Sequence, residues 1–315
     1  MTTSTASAPG KAILFGEHAV VYGRAAIAVP VAKVKATAAV TDAPAGSGCT
    51  IAAPDVGARV HLSTPNEDPL ALAVRLAIEE AGIEEEPDWQ ITVRSDIPIA
   101  GGMGSGAAVS AALVKAVFAH RKLPAHRRPK AETVNRIVYA VEKLHHANPS
   151  GIDNTVVVSQ QPVRFVRGQP PQRFDIARPF HLVIADTGIA SSTAAVVSDV
   201  RRAWEQDTDR YEAIFDGIGE IAETARRAIE SGNVDALGPL MKENHRLLRK
   251  LNVSSGELER LIAIAEEAGA AGAKLSGAGR GGNLIAAVEL KKLETVQKAL
   301  LAGGAAGIVV TQIGA

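Results

Sequence analysis

Residues 99–110 read Ile-Ala-Gly-Gly-Met-Gly-Ser-Gly-Ala-Ala-Val-Ser, with glycines at 101, 102, 104 and 106 beside the hydroxyl of Ser105. Backbone this bare permits positive φ and close approach by a ligand, and the alanine-rich stretch that follows reads as a helix. Free N–H groups at a helix N-terminus, backed by the positive end of its dipole, cradle an anion, above all a phosphate. A glycine-rich turn also serves simply to pack a helix on a strand, and the loop alone does not separate the two uses. Two common phosphate motifs are excluded. A Walker A loop needs Gly-Lys-Ser/Thr where this chain has Gly106-Ala107-Ala108. A dinucleotide fingerprint belongs to the first strand of a βαβ unit, whereas this loop follows an antiparallel-looking region.

Other chemically capable residues lie apart from the loop. Glu142 precedes His145 and His146 by one helical turn, a spacing that suits a transition metal. Only one such Glu-x-x-His occurs, whereas di-metal bundles use a pair, so packing or substrate-side hydrogen bonding better accounts for the histidines. Glu142 also follows Val138 by one turn at the edge of an apolar face. Its carboxylate can point into a cleft there, or simply pair with a neighbouring cation. Ser191, Ser192 and Thr193 cluster hydroxyls where a strand gives way to a helix, which suits capping or holding a polar ligand.

The elements that must position these groups are legible in outline. Residues 11–23, 25–41 and 49–63 are rich in Val, Ile and Ala, broken by Gly, Pro and Asp, and read as strands. A helix follows over 67–83, with Asp68 placed to cap, Pro69 in the first helical position and Gly82 past the last turn. Residues 88–98 form a strand running into the glycine loop, and a small-residue helix follows over 107–121. A third helix over 131–146 lines up Val134, Ile137, Val138, Val141 and Leu144. The Val156–Val158 run reads as strand-like, and polar, proline-rich residues come after it. The domain boundary is placed near residue 170, giving domains 1–170 and 171–315. Beyond it, 180–188, 283–290 and 307–313 read as strands, with amphipathic helices to about Glu267 and another near 291–303. Strands come in clusters, so the class is α+β.

A chain of 315 residues exceeds the usual growth limit of one core, which agrees with two domains. Thirty-four basic residues balance thirty-four acidic ones and aromatics are only 3%, so neither nucleic acid nor an anionic membrane is an expected partner. No uncharged run reaches membrane-spanning length, the polar first residues lack a signal-peptide core, and cytoplasm is the expected compartment. The single Cys49 excludes an intramolecular disulfide framework and a Cys-rich zinc site.

Three segments taken together resemble the GHMP kinases. They are Ala-Pro-Gly-Lys-Ala-Ile-Leu-Phe-Gly-Glu-His-Ala-Val-Val-Tyr-Gly at 8–23, Pro-Ile-Ala-Gly-Gly-Met-Gly-Ser-Gly-Ala-Ala at 98–108, and Lys-Leu-Ser-Gly-Ala-Gly-Arg-Gly-Gly-Asn at 274–283. They match the family's three motifs in order and spacing. Residues 142–158, with Pro149-Ser150-Gly151-Ile152-Asp153-Asn154, and the turn at 186–197 are similar to the mevalonate-phosphorylating branch. The sugar-binding signature of galactokinases and the lysine-tryptophan pattern of the related decarboxylases are absent.

The resemblance implies a two-domain fold, an N-terminal mixed sheet-and-helix domain followed by a C-terminal ferredoxin-like α/β sandwich. It implies an ATP-dependent kinase for a small alcohol, with mevalonate as acceptor and Mg²⁺ as cofactor. Phosphomevalonate or homoserine is the alternative acceptor, and a silent nucleotide-binding relative the alternative outside enzymes. Asp153 matches the aspartate that accepts or orients the acceptor's proton, and Lys11 the lysine beside it. The nucleotide loop maps to Pro98, Ile99, Ala100, Gly101, Gly102, Met103, Gly104, Ser105, Gly106, Ala107 and Ala108. Glu142 matches the Mg²⁺ ligand, helped by Ser105; Glu17, His18, Ser150 and Thr193 match acceptor-side residues. Members are often dimers, so a homodimer is expected. The chain departs from the family at Gly106, usually a serine credited with touching Mg²⁺, and at Ala147, often glycine. In the third motif, Arg280 and Asn283 stand where glycine and a small residue are usual. Arg280 suits either a phosphate contact or an interface cap.

Overall fold

The computed structural model describes residues 2–64, 67–98, 102–124, 129–145 and 149–314, without the side chain of His145. Among the expected site residues, Ile99, Ala100 and Gly101 lie outside the described residues, as do His146 and Ala147. The chain divides into two compact units that interleave in sequence. The first comprises Met1–Gly10, Val34–Ile97 and Gly104–Gln160; the second Lys11–Lys33, Pro98–Met103 and Gln161–Ala315. The boundary expected near residue 170 falls inside the second. Strands β1 (Thr3–Phe15) and β2 (Ala26–Asp42) contribute residues to both.

In the first unit, β3 (Thr50–Ala53) and β4 (Ala58–His61) form an antiparallel hairpin. β3 runs parallel to β5 (Trp89–Ser95), and β5 pairs antiparallel with β2 from Ala36↔Ser95 to Asp42↔Trp89. Helix α1 (Pro69–Glu80) starts as expected: the Asp68 carboxylate accepts from the amides of Leu70 at 2.8 Å and Ala71 at 3.1 Å. α2 (Ser105–Arg121) packs against α1 and α3 (Ala131–His145). Ala107, Ala108, Ala111, Ala112, Leu113, Val114, Ala116 and Val117 are all buried, so α2 is a core helix whose small residues let its neighbours approach closely. On α3 the stripe Val134, Ile137, Val138 and Val141 is buried, but Leu144, in the last turn, stays 42% exposed.

The strand-like Val156–Val158 run is in fact helical: α4 spans Ile152–Ser159. Gly151, at φ 87°, turns the chain into it. Ile152 and Val156, one turn apart, are buried with Val157, while the Asn154 side chain donates to Asn135 Oδ1 of α3 at 2.7 Å. Burial against α2 and α3 outweighs the β preference of the valines.

In the second unit, β6 (Val163–Phe165) pairs with β2 at Ala26–Ala28 and with the short β7 (Gln172–Arg173). A separate sheet contains β8 (Phe180–Asp186), β9 (Gly272–Ser276), β10 (Asn283–Val288) and β11 (Gly307–Ile313), all antiparallel, in the order β11-β8-β10-β9. That is the order of a ferredoxin-like β-α-β-β-α-β unit, here with extra helices. Between β8 and β9 come α5 (Thr193–Gln206), α6 (Thr208–Ser231), α7 (Leu237–Lys250) and α8 (Gly256–Glu267); α9 (Leu293–Ala302) precedes β11. A Cβ on Gly272 would lie 2.1 Å from the Gly238 carbonyl oxygen, so bare backbone on both sides lets α7 sit directly on β9. No helix among the described residues is long and apolar enough to cross a membrane.

Candidate functional site

The second unit holds the first motif from Lys11 onward and the whole of the third. After β1 the chain turns at Gly16 (φ 98°), where a Cβ would come within 2.4 Å of the Ala26 backbone. Lys11 is 3% exposed, and its amide donates to the Met103 carbonyl at 2.9 Å, tying the first motif to the end of the glycine loop. Glu17 and Lys274 form a fully buried ion pair. Lys274 also donates to the Leu275 carbonyl at 2.6 Å, while Glu17 Oε2 has no hydrogen-bond partner among the described residues. Burial pushes the Glu17 carboxyl up, opposed by the charges of Lys274 and Lys11, and pulls the Lys274 ammonium down, opposed by Glu17. The pair is therefore costly to bury and costlier to break.

His18, next in sequence, places Nε2 2.9 Å from the Ala278 carbonyl. A carbonyl only accepts, so Nε2 carries the proton and Nδ1 keeps the lone pair. Burial lowers the ring's pKa to about 4, which keeps it neutral at physiological pH. The ring's one N–H is thus committed to the third motif, and what remains for a ligand is an acceptor.

The third motif binds two segments. Toward the first motif, it supplies Lys274, the Ala278 carbonyl, and Ser276, whose hydroxyl donates to Ile13 O at 2.9 Å. Toward the turn after β8, the Gly282 carbonyl accepts from both the amide and the hydroxyl of Thr187 at 2.9 Å, and the Gly282 amide donates to Ile189 O at 2.9 Å. The glycines are there for contact: a Cβ would lie 2.0 Å from Val253 O at Gly279 (φ 85°) and 2.5 Å from Ile189 O at Gly281 (φ 144°). The Arg280 guanidinium is engaged with Asp199 of α5 and, through Nε, with Asn252 O at 3.2 Å. Beyond the turn, Ser192 caps α5, accepting from the Ala195 amide at 3.3 Å, and Thr193 is exposed at the first helical position.

The first unit holds the remaining acidic groups. Gly102 and Gly104 both stand at φ 71°, and Gly104 delivers the chain into α2. The first intrahelical bond runs from the Ala108 amide to Gly104 O, so the amides of Ser105, Gly106 and Ala107 precede the helix's own bonding ladder. Glu142, on α3, is 7% exposed, and a Cβ on Gly106 would lie 3.2 Å from its Oε1. The bare position at 106 is therefore filled on one side by the Glu142 carboxylate. That donor set fits Mg²⁺, which takes one carboxylate and completes its shell with phosphate oxygens and water. Among the described residues no group of three His, Cys, Asp or Glu is arranged to hold a metal unaided. Asp153 is half-buried in the first turn of α4, held against α3 through Asn154 and Asn135. Ser150, also half-buried, accepts weakly from the Ile152 amide at 3.4 Å.

Each unit thus brings a subset together: Lys11, Glu17 and His18 in one, Gly106, Glu142 and the helix bearing Asp153 in the other. Sequence reasoning missed Lys274, Asp199 and Asn154. A lysine inside the short apolar run Gly272-Ala273-Lys274-Leu275 was the available signal for the first.

The chain matches the family models described as GHMP kinases N terminal domain, over residues 69–160, and GHMP kinases C terminal, over residues 225–306. It is 32% identical to the mevalonate kinase of Pyrococcus abyssi, covering 95% of this chain and 92% of that one. It is 33% identical to the mevalonate kinase of Methanothermobacter thermautotrophicus, covering 90% and 89%. Among solved structures, L. major mevalonate kinase in complex with R-mevalonate superposes with a TM-score of 0.86 at 27% identity, covering 99% of this chain and 96% of that one.

Proposed function

We propose that this chain, which belongs to the GHMP kinase family, transfers the γ-phosphoryl group of ATP to the 5-hydroxyl of mevalonate, giving 5-phosphomevalonate and ADP for isoprenoid synthesis. Near full-length similarity to mevalonate kinases carries the reading. The buried carboxylate of Glu142 beside bare Gly106, and the neutral His18, support it.

Phosphoryl transfer asks a protein for positioning and electrostatic stabilisation, with little covalent work. The amides at the start of α2 and the glycine backbone receive the phosphates. Asp153 takes the proton of the 5-hydroxyl as its oxygen bonds to the γ-phosphorus. The bond from that phosphorus to the bridging β-oxygen breaks, and ADP leaves. Lys11 offsets the negative charge developing on the entering oxygen and the transferred group. Glu142, with the hydroxyl of Ser105 in the loop, would hold Mg²⁺, which would neutralise phosphate charge when bound. On the acceptor side, His18 Nδ1 accepts from an alcohol, and Ser150 and Thr193 add hydroxyls. A homodimer and a cytoplasmic location belong to the same proposal; light scattering on the eluting protein reads the first.

The test follows ADP release from Mg-ATP with mevalonate, phosphomevalonate and homoserine at matched concentration. Turnover with mevalonate well above the others is expected. Turnover confined to another alcohol would move the chain to a sister activity, and nucleotide binding without turnover on any of them would make it a silent relative.

A further inference from the structure

Arg280 occupies a glycine-type conformation, φ 56°, at a position where the family's third motif usually has glycine. Its amide donates to Val253 O at 2.7 Å, its Nε to Asn252 O, and its Nη1 to Asp199, in the second turn of α5. The residues between the two ends of this region are poorly anchored by packing. Gly188–Ala190 and Ser192–Ala195 are exposed, Ser191 is half-buried, and Val196 is the first residue of α5 in the core. Apart from the buried Val196, the orientation of Ser191–Thr193 therefore depends on hydrogen-bonded tethers at either end: Thr187 and Ile189 to Gly282 before it, Asp199 to Arg280 after it. Both tethers end on the third motif.

We propose that Arg280 is a positioning residue for the acceptor alcohol: by tying Asp199 to the third motif it holds the start of α5, and so Ser191–Thr193, in the arrangement that receives the substrate. The proposal rests on the reading of those hydroxyls as acceptor-facing. A glycine at 280 keeps the backbone conformation and the amide bond to Val253 O, and loses the reach to α5 together with one exposed side-chain bond to Asn252 O. Asp199 also pairs with Arg202, so removing Arg280 leaves no orphaned carboxylate behind. The tie can thus be cut without damaging the fold. What changes is the fraction of molecules in which the α5 start is ready to bind.

The experiment compares Arg280→Gly, Asp199→Asn and the double variant with the unaltered chain, in steady-state kinetics and amide hydrogen exchange. KM for mevalonate should rise about fivefold in each single variant, with kcat and the KM for ATP within about twofold. Amides of residues 190–198 should exchange faster, and the melting temperature of Arg280→Gly should not fall. The double variant should be no worse than either single, because both cut one tie. Unchanged KM and unchanged exchange in Arg280→Gly would overturn the proposal, as would a lower kcat accompanied by a lower melting temperature, the mark of a merely structural role. If the unaltered chain fails to phosphorylate mevalonate, the functional reading falls instead, and the exchange comparison alone decides the tie.

Discussion

Replacing Lys274 with methionine removes one half of the buried pair while nearly keeping its volume. Glu17, 1% exposed, would then lose its lysine partner, while Oε2 already has no hydrogen bond among the described residues. Breaking a buried pair in this way costs about 3–5 kcal/mol. At about 2–4 °C per kcal/mol, the melting temperature should fall by roughly 6–20 °C. The variant should also gain a pH dependence. Without the lysine, burial raises the Glu17 carboxyl further, against the weaker pull of the Lys11 charge, while the unfolded chain releases that proton above the ordinary value of 4.5. The folded state then binds more protons, so stability falls as pH rises above that point, by up to about 1.4 kcal/mol per pH unit. Thermal melts at acidic and alkaline pH read this directly, and Lys274→Met should be hurt more at about pH 8 than at about pH 5. The double variant Glu17→Gln/Lys274→Met, with no charge left to bury, should recover most of the loss. A single variant melting within about 2 °C of the unaltered chain at both pH values, or a double variant no better than the single, would refute the argument.

Three further outcomes follow from the geometry. Asp153→Asn should lower kcat by about 10²–10⁴, the usual worth of a positioned general base, with ATP affinity by calorimetry nearly unchanged; a near-normal rate would remove Asp153 from the mechanism. Gly106→Val places branched carbons against Glu142 Oε1, where a Cβ alone already lies at 3.2 Å, so the Mg²⁺ concentration for half-maximal rate should rise about tenfold while KM for mevalonate holds; an unchanged Mg²⁺ titration would separate Glu142 from the metal. His18 has a folded-state pKa of about 4 against an ordinary 6.5, so the unfolded chain binds the extra proton and stability is lost as pH falls through 6.5 toward 4. Melting curves of His18→Gln over that window should fall less steeply than those of the unaltered chain, and parallel curves would contradict the assignment.

What could be read from the chain was what local chemistry decides. The start of α1 follows from Asp68 and Pro69, and β8, β10 and β11 from short apolar runs bounded by turn residues. Periodicity misread Val156–Val158 because a valine run looks the same whether it pairs with a strand or packs under two helices. It ran the first strand too far, since the bend at Gly16 answers to the Ala26 backbone and not to its sequence neighbours. It overlooked β9, too short for a pattern and interrupted by a charged residue. The site divided in the same way. Glycine density marked a bare-backbone turn at the start of α2, and Glu142 stood out by its place on a helix face. The partners that set the chemistry, however, are distant: Lys274 meets Glu17 across 257 positions and Ala278 meets His18 across 260. No local window contains both members of either pair.

The most direct test of the whole account is the identity of the bond made. Phosphorus NMR of the chain incubated with Mg-ATP and R-mevalonate should show a new phosphomonoester whose signal couples to the protons on carbon 5, appearing in step with ADP. ADP formed without that ester, or an ester on any other oxygen, would contradict it.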